Sequence, residues 1–531
     1  MDKRPHIIIF NPDEMRYDTM GHMGNPAAVT PFLDQFAKEE AVSFRNAFCQ
    51  NPVCVPSRCS FFTGLYPHVH GHRTMSHLLR PGEENLFSEL KEAGYHIWMN
   101  ARNDLFAGQI TGWAESNADE IFYGGDVPEA PGPECDGKGK KDKYSHFEGR
   151  LKLDENGRNY NGDDEAVDAA IRHINGYGGE KPVCMFLGLN FPHTPYQVEE
   201  PYYSAIDRSK LPERIRPENC TGKSKMMELI RLYQQMEEYT EDDWQELRAA
   251  YLGMCMKVDT QFRRLCDGLK EKGIYDDCLI FFFSDHGDFE GDFGLTEKAQ
   301  SCFEDCLTRV PLLVKPPKGK VDPGVTESMA ELIDFYGTAM DYAGVKPERT
   351  QFGQSLRPVL EKRSVKNREY VFCEGGRLAG ELHCDEYHSS GPAGPPQDFV
   401  YWPKMMAQTD DSAHAKGTMI RSERYKYISR ITGEDEFYDL EADPGETSNQ
   451  IHNPEYALKI SGFRLELMRW YQQTSDVVPY KTDDRFTHEM LWAKVKNICP
   501  KDHEEDVKEK IRGGIKQGIL YQYVRSLKNS K

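Results

Sequence analysis

The sequence predicts an α/β fold: a large, mostly parallel sheet flanked by helices, followed by a smaller C-terminal α+β subdomain containing an antiparallel sheet. Three observations carry this. Up to about residue 365, short apolar runs alternate with amphipathic stretches. The strongest runs, Ile7-Ile-Ile-Phe10 and Leu279-Ile-Phe-Phe-Phe283, are continuous rather than alternating, as in a strand buried on both faces. From residue 366 the texture changes, and Gly417–Arg430 and Glu436–Leu440 read as antiparallel strands. The expected divisions are an α/β domain over 1–365, the subdomain over 366–475, and a helical extension over 476–531. At 531 residues the chain is too long for one ordinary core, which stops growing near ~250–300 residues.

Taken in order, Ile7–Phe10 is the first core strand, and Asp13 and Glu14 follow it directly. Thr30 is expected to cap a helix with Pro31 at its first position. Ala41–Phe48 reads as a strand and leads to Cys54, from which a short helix runs to Thr63-Gly64, glycine ending it. A helix over Leu86–Gly94 precedes a strand at Tyr95–Met99, with Arg102-Asn103-Asp104 at its end. Residues 124–163, which include Gly137–Lys141, are rich in Gly, Pro, Asp and Lys and read as an exposed loop. A helix over Glu165–Ile174 leads to a strand at 183–189, which delivers His193. Residues 200–240 read as an excursion containing a helix (Lys225–Glu238). A long amphipathic helix runs over Trp244–Lys272, stopped by Gly273, and the strand Leu279–Phe283 delivers Ser284-Asp285-His286-Gly287. Residues 375–415 are poorly periodic, Asn453–Gln473 reads as a helix, and Trp492 and Tyr521 suggest that the last fifty residues dock rather than hang free. Polar residues thus recur just past several strand ends, where open α/β sheets gather their ligands.

Charged residues make up 29% of the chain and hydrophobic ones 38%, and nothing approaches the ~18 consecutive apolar residues of a membrane span. The run after the N-terminus is too short for a secretory leader, so a cytoplasmic chain is expected, with its 14 cysteines reduced. No Cys-x-x-Cys pair or zinc spacing occurs, and Cys302 and Cys306 read as core residues. The net charge of −20 argues against nucleic acid or an anionic membrane as partner. It also means that any site for an anionic substrate must hold a local cluster of cations.

The most specific stretch is Cys54-x-Pro56-Ser57-Arg58 with Thr63-Gly64 beyond it. A buried Cys in a tight turn is the bland explanation. The stretch resembles the signature of the type I sulfatases of the alkaline phosphatase superfamily, C-x-P-S-R-x-x-x-x-T-G, with every fixed position present. Ser284-Asp-His-Gly, Gly294-Leu-Thr-Glu-Lys298 and Met419–Tyr427 with Glu436–Asn449 extend the similarity from residue 7 to about 450. The resemblance implies that Cys54 is oxidised after synthesis to formylglycine, whose hydrate attacks sulfur, with a formylglycine-generating enzyme as maturation partner. It further implies that Asp13, Glu14, Asp285 and His286 bind one divalent cation with the residue at 54 as a further ligand. Hard oxygens with one imidazole suit Ca²⁺ first, with Mg²⁺ or Mn²⁺ possible. Glu14 stands where Asp is commonest and could instead lie behind the metal ligands.

By the same resemblance Arg58 holds the hydrate or its sulfate ester, and Lys298 or His193 protonates the leaving oxygen. Of His68 and His70, one is expected to orient the site, and His70 is taken as that residue. Arg102 and Asp104 fall where many sulfatases have Lys and His. Arginine cannot give up a proton in the normal pH range, so Asp104 is left as the base or as an anchor for Arg102. The expected substrate is a small-molecule or carbohydrate sulfate ester, or a sulfamate. The competing readings are a phosphonate or phosphodiester hydrolase of the same superfamily, and an inactive binder of sulfated ligands. Homo-oligomer contacts are expected through the C-terminal extension.

Overall fold

The computed structural model describes residues 4–125, 129–134, 144–384, 396–480 and 482–529; Gly137–Lys141 lies outside them. Eight strands form the large sheet. From one edge they run Gly324–Glu331, Val42–Phe48, Leu312–Lys315, Cys278–Phe283, His6–Asn11, Val183–Gly188, His96–Asn100 and Glu120–Phe122. Every pairing is parallel except the two made by Leu312–Lys315.

The central strand shows why the apolar runs are continuous. Ile8 pairs with Met185 on one side and Ile280 on the other. Side chains alternate across the pleat: Ile7, Ile9, Phe281 and Phe283 enter one core, and Ile8, Phe10, Ile280 and Phe282 enter the other. With helices on both faces there is no solvent side to demand polar residues.

Several elements differ from expectation in their ends. The long helix begins at Glu241, because Thr240 and Asp243 cap it reciprocally. The helix Pro31–Glu39 follows Thr30, but the Thr30 hydroxyl does not cap it. Asp259, on the long helix, does so from outside by accepting the Phe32 and Leu33 amides. The helix from Lys225 ends at Gln234, where Gln235 turns left-handed. Inside the stretch read as loop lies a strand, Phe147–Leu151, paired in parallel with Tyr196–Glu199. Its alternation is broken by Gly149, which hid it.

The antiparallel sheet has four strands, Val371–Gly375, Gly417–Arg421, Tyr425–Arg430 and Glu436–Asp439; the first was not read from sequence. It braces the segment before Cys54: Gln50 O accepts the Glu374 amide at 2.9 Å, and the Asn51 amide side chain donates to Glu374 O at 2.7 Å. Residues 4–347 and 351–477 form one compact unit; 348–350 and 478–529 form another. The second unit carries the helices His488–Val495, Glu504–Arg512 and Gln517–Asn529 around its own core of Leu491, Val495, Val507, Ile511, Leu520 and Val524. Trp492 and Tyr521 pack against that core. Among the described residues, no helix is long and apolar enough to cross a membrane.

Candidate active site

The strands His6–Asn11 and Cys278–Phe283 are adjacent and parallel, so the residues that follow them meet. Ser284 stitches them together: its hydroxyl accepts the Met15 amide at 2.7 Å and donates to His286 O at 2.9 Å. Asp13, Glu14, Asp285 and His286 are thereby brought to one point, all fully buried. Glu14 sits at φ +67°, a left-handed conformation that costs an ordinary residue about 1–3 kcal/mol. Its amide donates to Asp285 Oδ1 at 3.2 Å, which holds it there.

Cys54 opens the helix Cys54–Thr63, all ten residues of which are buried. Gly64 ends it at φ +68°, and a Cβ there would stand 2.7 Å from the Tyr336 ring, so both turn and packing require glycine. The Cys54 thiol lies 3.5 Å from the Met75 sulfur. One turn on, the Arg58 guanidinium is wholly buried between carboxylates. Nε donates to Asp285 Oδ2 at 2.8 Å and Nη2 to Asp13 Oδ2 at 3.0 Å. Ser57 donates to Asp285 O at 2.7 Å. Arg102, from the end of His96–Asn100, reaches the same Asp13 oxygen at 2.5 Å. Gly188 makes that approach possible, since a Cβ would lie 2.0 Å from Arg102 O. Burial alone would raise the Asp13 carboxyl; Arg102, His193 and Arg58 outweigh it and hold it well below the usual carboxylate range.

These residues fit a divalent cation. Asp13 Oδ1, Glu14 Oε1 and His286 Nε2 are buried without a hydrogen-bond partner, and such groups are rare unless something else satisfies them. His286 Nδ1 donates to Gly287 O at 2.9 Å, which leaves the Nε2 lone pair facing the acids, 3.5 Å from Asp13 Oδ1. Ligand atoms of Asp13, Cys54 and His286 lie within 4.8 Å of one another, as do those of Asp13, Glu14 and His193. Around them Arg58, Arg102, Lys298 and Lys404 face Asp13, Glu14, Asp104, Asp285 and Glu297. The cations demanded by the chain's negative field are present, and each is already paired with a carboxylate.

His193 and Lys298 form the opposite wall. His193 Nδ1 donates to Thr194 O at 2.8 Å, so its Nε2 accepts from Lys298 Nζ, also at 2.8 Å. The proton in this pair belongs to the lysine. Lys298 is held in turn by Glu297, which also accepts from Lys404 Nζ at 2.7 Å, and its Nζ is 3.5 Å from Glu14. Tyr196 positions Glu297 by accepting its amide at 2.9 Å. Burial and the Lys298 ammonium push the His193 imidazole down to about 3. Unfolded, it titrates near ~6.5, so below that pH the unfolded chain takes up a proton the folded chain refuses. The neutral imidazole therefore contributes stability above pH ~6.5 that is lost as pH falls toward 3. His193→Gln is expected to flatten the loss of urea-unfolding free energy between pH 6 and 4 by about 2 kcal/mol; equal slopes for variant and wild type would defeat the assignment.

The remaining sequence candidates are placed as follows. Asp104 lies 3.4 Å from Arg58 Nη1 and is a third exposed. His70 turns to Glu83 at 3.4 Å. His68 is tied to Glu374 Oε1 and Thr474 O, each at 2.9 Å. Glu297, Lys404, Tyr196 and Met75 were not singled out from sequence. Glu297 stands beside Lys298 in the motif and was within reach. Lys404 was not, since its helix Trp402–Gln408 lies in the poorly periodic stretch.

With this geometry in view, the comparisons with known proteins are decisive. The sulfatase family model matches residues 5–345. The chain belongs to the sulfatase family. It is a sulfuric ester hydrolase of the alkaline phosphatase superfamily. An arylsulfatase of Clostridium perfringens is 26% identical to this sulfatase over 499 residues, covering 88% of the chain and 94% of its own length. A phosphonate monoester hydrolase of Agrobacterium radiobacter shares the fold with a TM-score of 0.68 at 21% identity, over 89% of this chain and 96% of that one. A structure solved with its substrate D-glucosamine-2-N,6-O-disulfate shares it with a TM-score of 0.67 at 21% identity, over 89% and 98%.

Proposed function

We propose that this sulfatase hydrolyses a sulfate ester, or a sulfamate, of a carbohydrate or small molecule, using a formylglycine made from Cys54 and one divalent cation. The convergence of Cys54, Asp13 and His286 around buried, unpartnered ligand atoms supports this reading most directly. Asp13, Asp285 and His286 would hold the cation, with Glu14 beside them; the oxygen-rich set favours Ca²⁺, then Mg²⁺ or Mn²⁺. Bound there, the metal would supply charge neutralisation for the sulfuryl oxygens, and a hydrated aldehyde at position 54 would supply the nucleophilic oxygen.

The chain's own residues divide the remaining work. Arg58 and Arg102 fix Asp13 and present positive charge beside position 54. Lys298 holds the proton for the departing alcohol, and His193, neutral, orients the lysine. Asp104 is the base, being a part-exposed carboxylate next to Arg58. Maturation calls for a formylglycine-generating enzyme. An intact-peptide mass of residue 54 from the native host tests the nucleophile: an unmodified thiol at full occupancy would leave only the reading as a binder of sulfated ligands.

A phosphonate monoester hydrolase is the second reading. Structural neighbours of both kinds share the fold to nearly the same degree, with TM-scores of 0.68 and 0.67, so the fold does not discriminate. Assayed side by side, an aryl sulfate is expected to give kcat/KM at least ~10-fold above an aryl phosphonate monoester, a difference of about 1.4 kcal/mol at the transition state. The reverse order would replace the sulfatase reading.

A further inference from the structure

A second cluster of ligating side chains lies on the stretch from the short helix Pro67–His70 to Glu83. Both imidazoles of this stretch address one carboxylate oxygen: His72 Nε2 is 3.2 Å and His70 Nδ1 3.4 Å from Glu83 Oε1. His72 Nδ1 lies 2.8 Å from His77 O. A carbonyl only accepts, so that nitrogen carries hydrogen. In a neutral ring the Nε2 lone pair then points at a carboxylate lone pair, which is repulsive. A positive charge must sit between His72 and Glu83, either a proton on that ring or one metal ion, which His70 Nδ1 is placed to join. The His70 ring, its centroid 6.2 Å from that of His72, offers Nδ1 to the same point. The three ligand atoms lie within 4.8 Å of one another, and two imidazoles with one carboxylate are a donor set suited to zinc. The other carboxylate oxygen accepts the Arg80 amide at 2.6 Å, which aims Oε1 at the rings. His72 is nine-tenths buried, while His70 is a third exposed and leaves an entry path.

We propose that His70, His72 and Glu83 form a second metal site, separate from the one at Asp13, that takes a borderline divalent transition ion, Zn²⁺ before others, with water completing its shell. The site joins the two ends of the stretch 70–83. Between them, Met75 packs on the Cys54 sulfur and Leu79 bonds to Leu105 O at 2.8 Å. A metal there pins the loop that covers position 54, a structural role distinct from the chemistry.

The test uses the full chain in saturating Ca²⁺, which fills an oxygen site but competes poorly for imidazole. Titration with Co²⁺, a visible reporter for zinc sites, is expected to give one saturable equivalent with ligand-field bands. His70→Ala and Glu83→Gln should each weaken it at least ~10-fold. His173→Ala should leave it unchanged, which separates this site from the group His96, Glu120 and His173. Because His70 is exposed, its variant should melt with wild type when no transition metal is added, so that lost binding is not lost folding. Absence of saturable Co²⁺ binding, binding indifferent to His70→Ala, or binding lost only with His173→Ala would each overturn the proposal.

Discussion

Cys54→Ala is expected to lower sulfate release by ~10⁴-fold or more while the protein stays folded, because the substitution removes the reacting group and little else. The fold side can be argued from contacts. The thiol lies 3.5 Å from Met75 and is 3% exposed, so its loss leaves a small void costing about 1 kcal/mol. The helix itself is held by other groups: Arg58 and Ser57 on Asp285, and the Gly64 amide on Ser60 O. The proposed metal ligands Asp13, Asp285 and His286 follow other strands and are not moved. Urea unfolding should therefore be nearly unchanged, and Ca²⁺ should still raise the melting temperature. Turnover within tenfold of wild type would sink the assignment of Cys54 as precursor of the nucleophile.

Much of the site was legible in the sequence because strand ends are legible. A continuous apolar run marks a central strand, and the first polar residues after it must emerge at one edge of the sheet. Asp13, Asp285 and His286 were placed past strand ends in that way and singled out by the resemblance of their motifs to the sulfatases, and the structure brings them together. Glu14 was harder. Sequence shows a longer side chain than is usual, but not the left-handed backbone that turns its carboxylate toward Lys298. Lys404 was out of reach in principle. It pairs with Glu297 across 107 residues, from a helix whose sequence has no clear period, and such a contact is a property of tertiary packing alone. The strand Phe147–Leu151 escaped for a local reason, since its glycine breaks the alternation by which strands are recognised. The division of labour between His193 and Lys298 also needed coordinates, because it rests on which ring nitrogen faces the Thr194 carbonyl.

Asp13→Asn is the substitution expected to damage both stability and chemistry. In the wild type one Asp13 oxygen takes Arg58 and Arg102, while the other is left without a partner beside His286 Nε2. An amide of the same shape carries no charge, so the two guanidiniums lose their common counter-ion. Arg58 still has Asp285, but Arg102 is left with Leu189 O and the more exposed Asp104. Breaking a buried ion pair by removing one partner costs about 3–5 kcal/mol, and a drop of that size in urea-unfolding free energy is expected without added metal. The second effect concerns the cation. With a ligand neutralised, Ca²⁺ should no longer raise the melting temperature, whereas wild type should gain about 2.7 kcal/mol at a hundred times its dissociation constant. Loss of metal charge at the sulfuryl group removes several kcal/mol of transition-state stabilisation, so kcat/KM should fall by ~10³-fold or more. The sign of the pH response also follows. The wild-type Asp13 carboxyl is held far below its unfolded value, so its contribution is present above pH ~4 and is lost as pH falls further. Asp13→Asn should lack that acid-side loss, so its gap to wild type should be narrower at pH 2 than at pH 7. A variant that kept its calcium response, or that differed from wild type equally at pH 2 and pH 7, would show that Asp13 is neither the metal's ligand nor the charge that anchors Arg58 and Arg102.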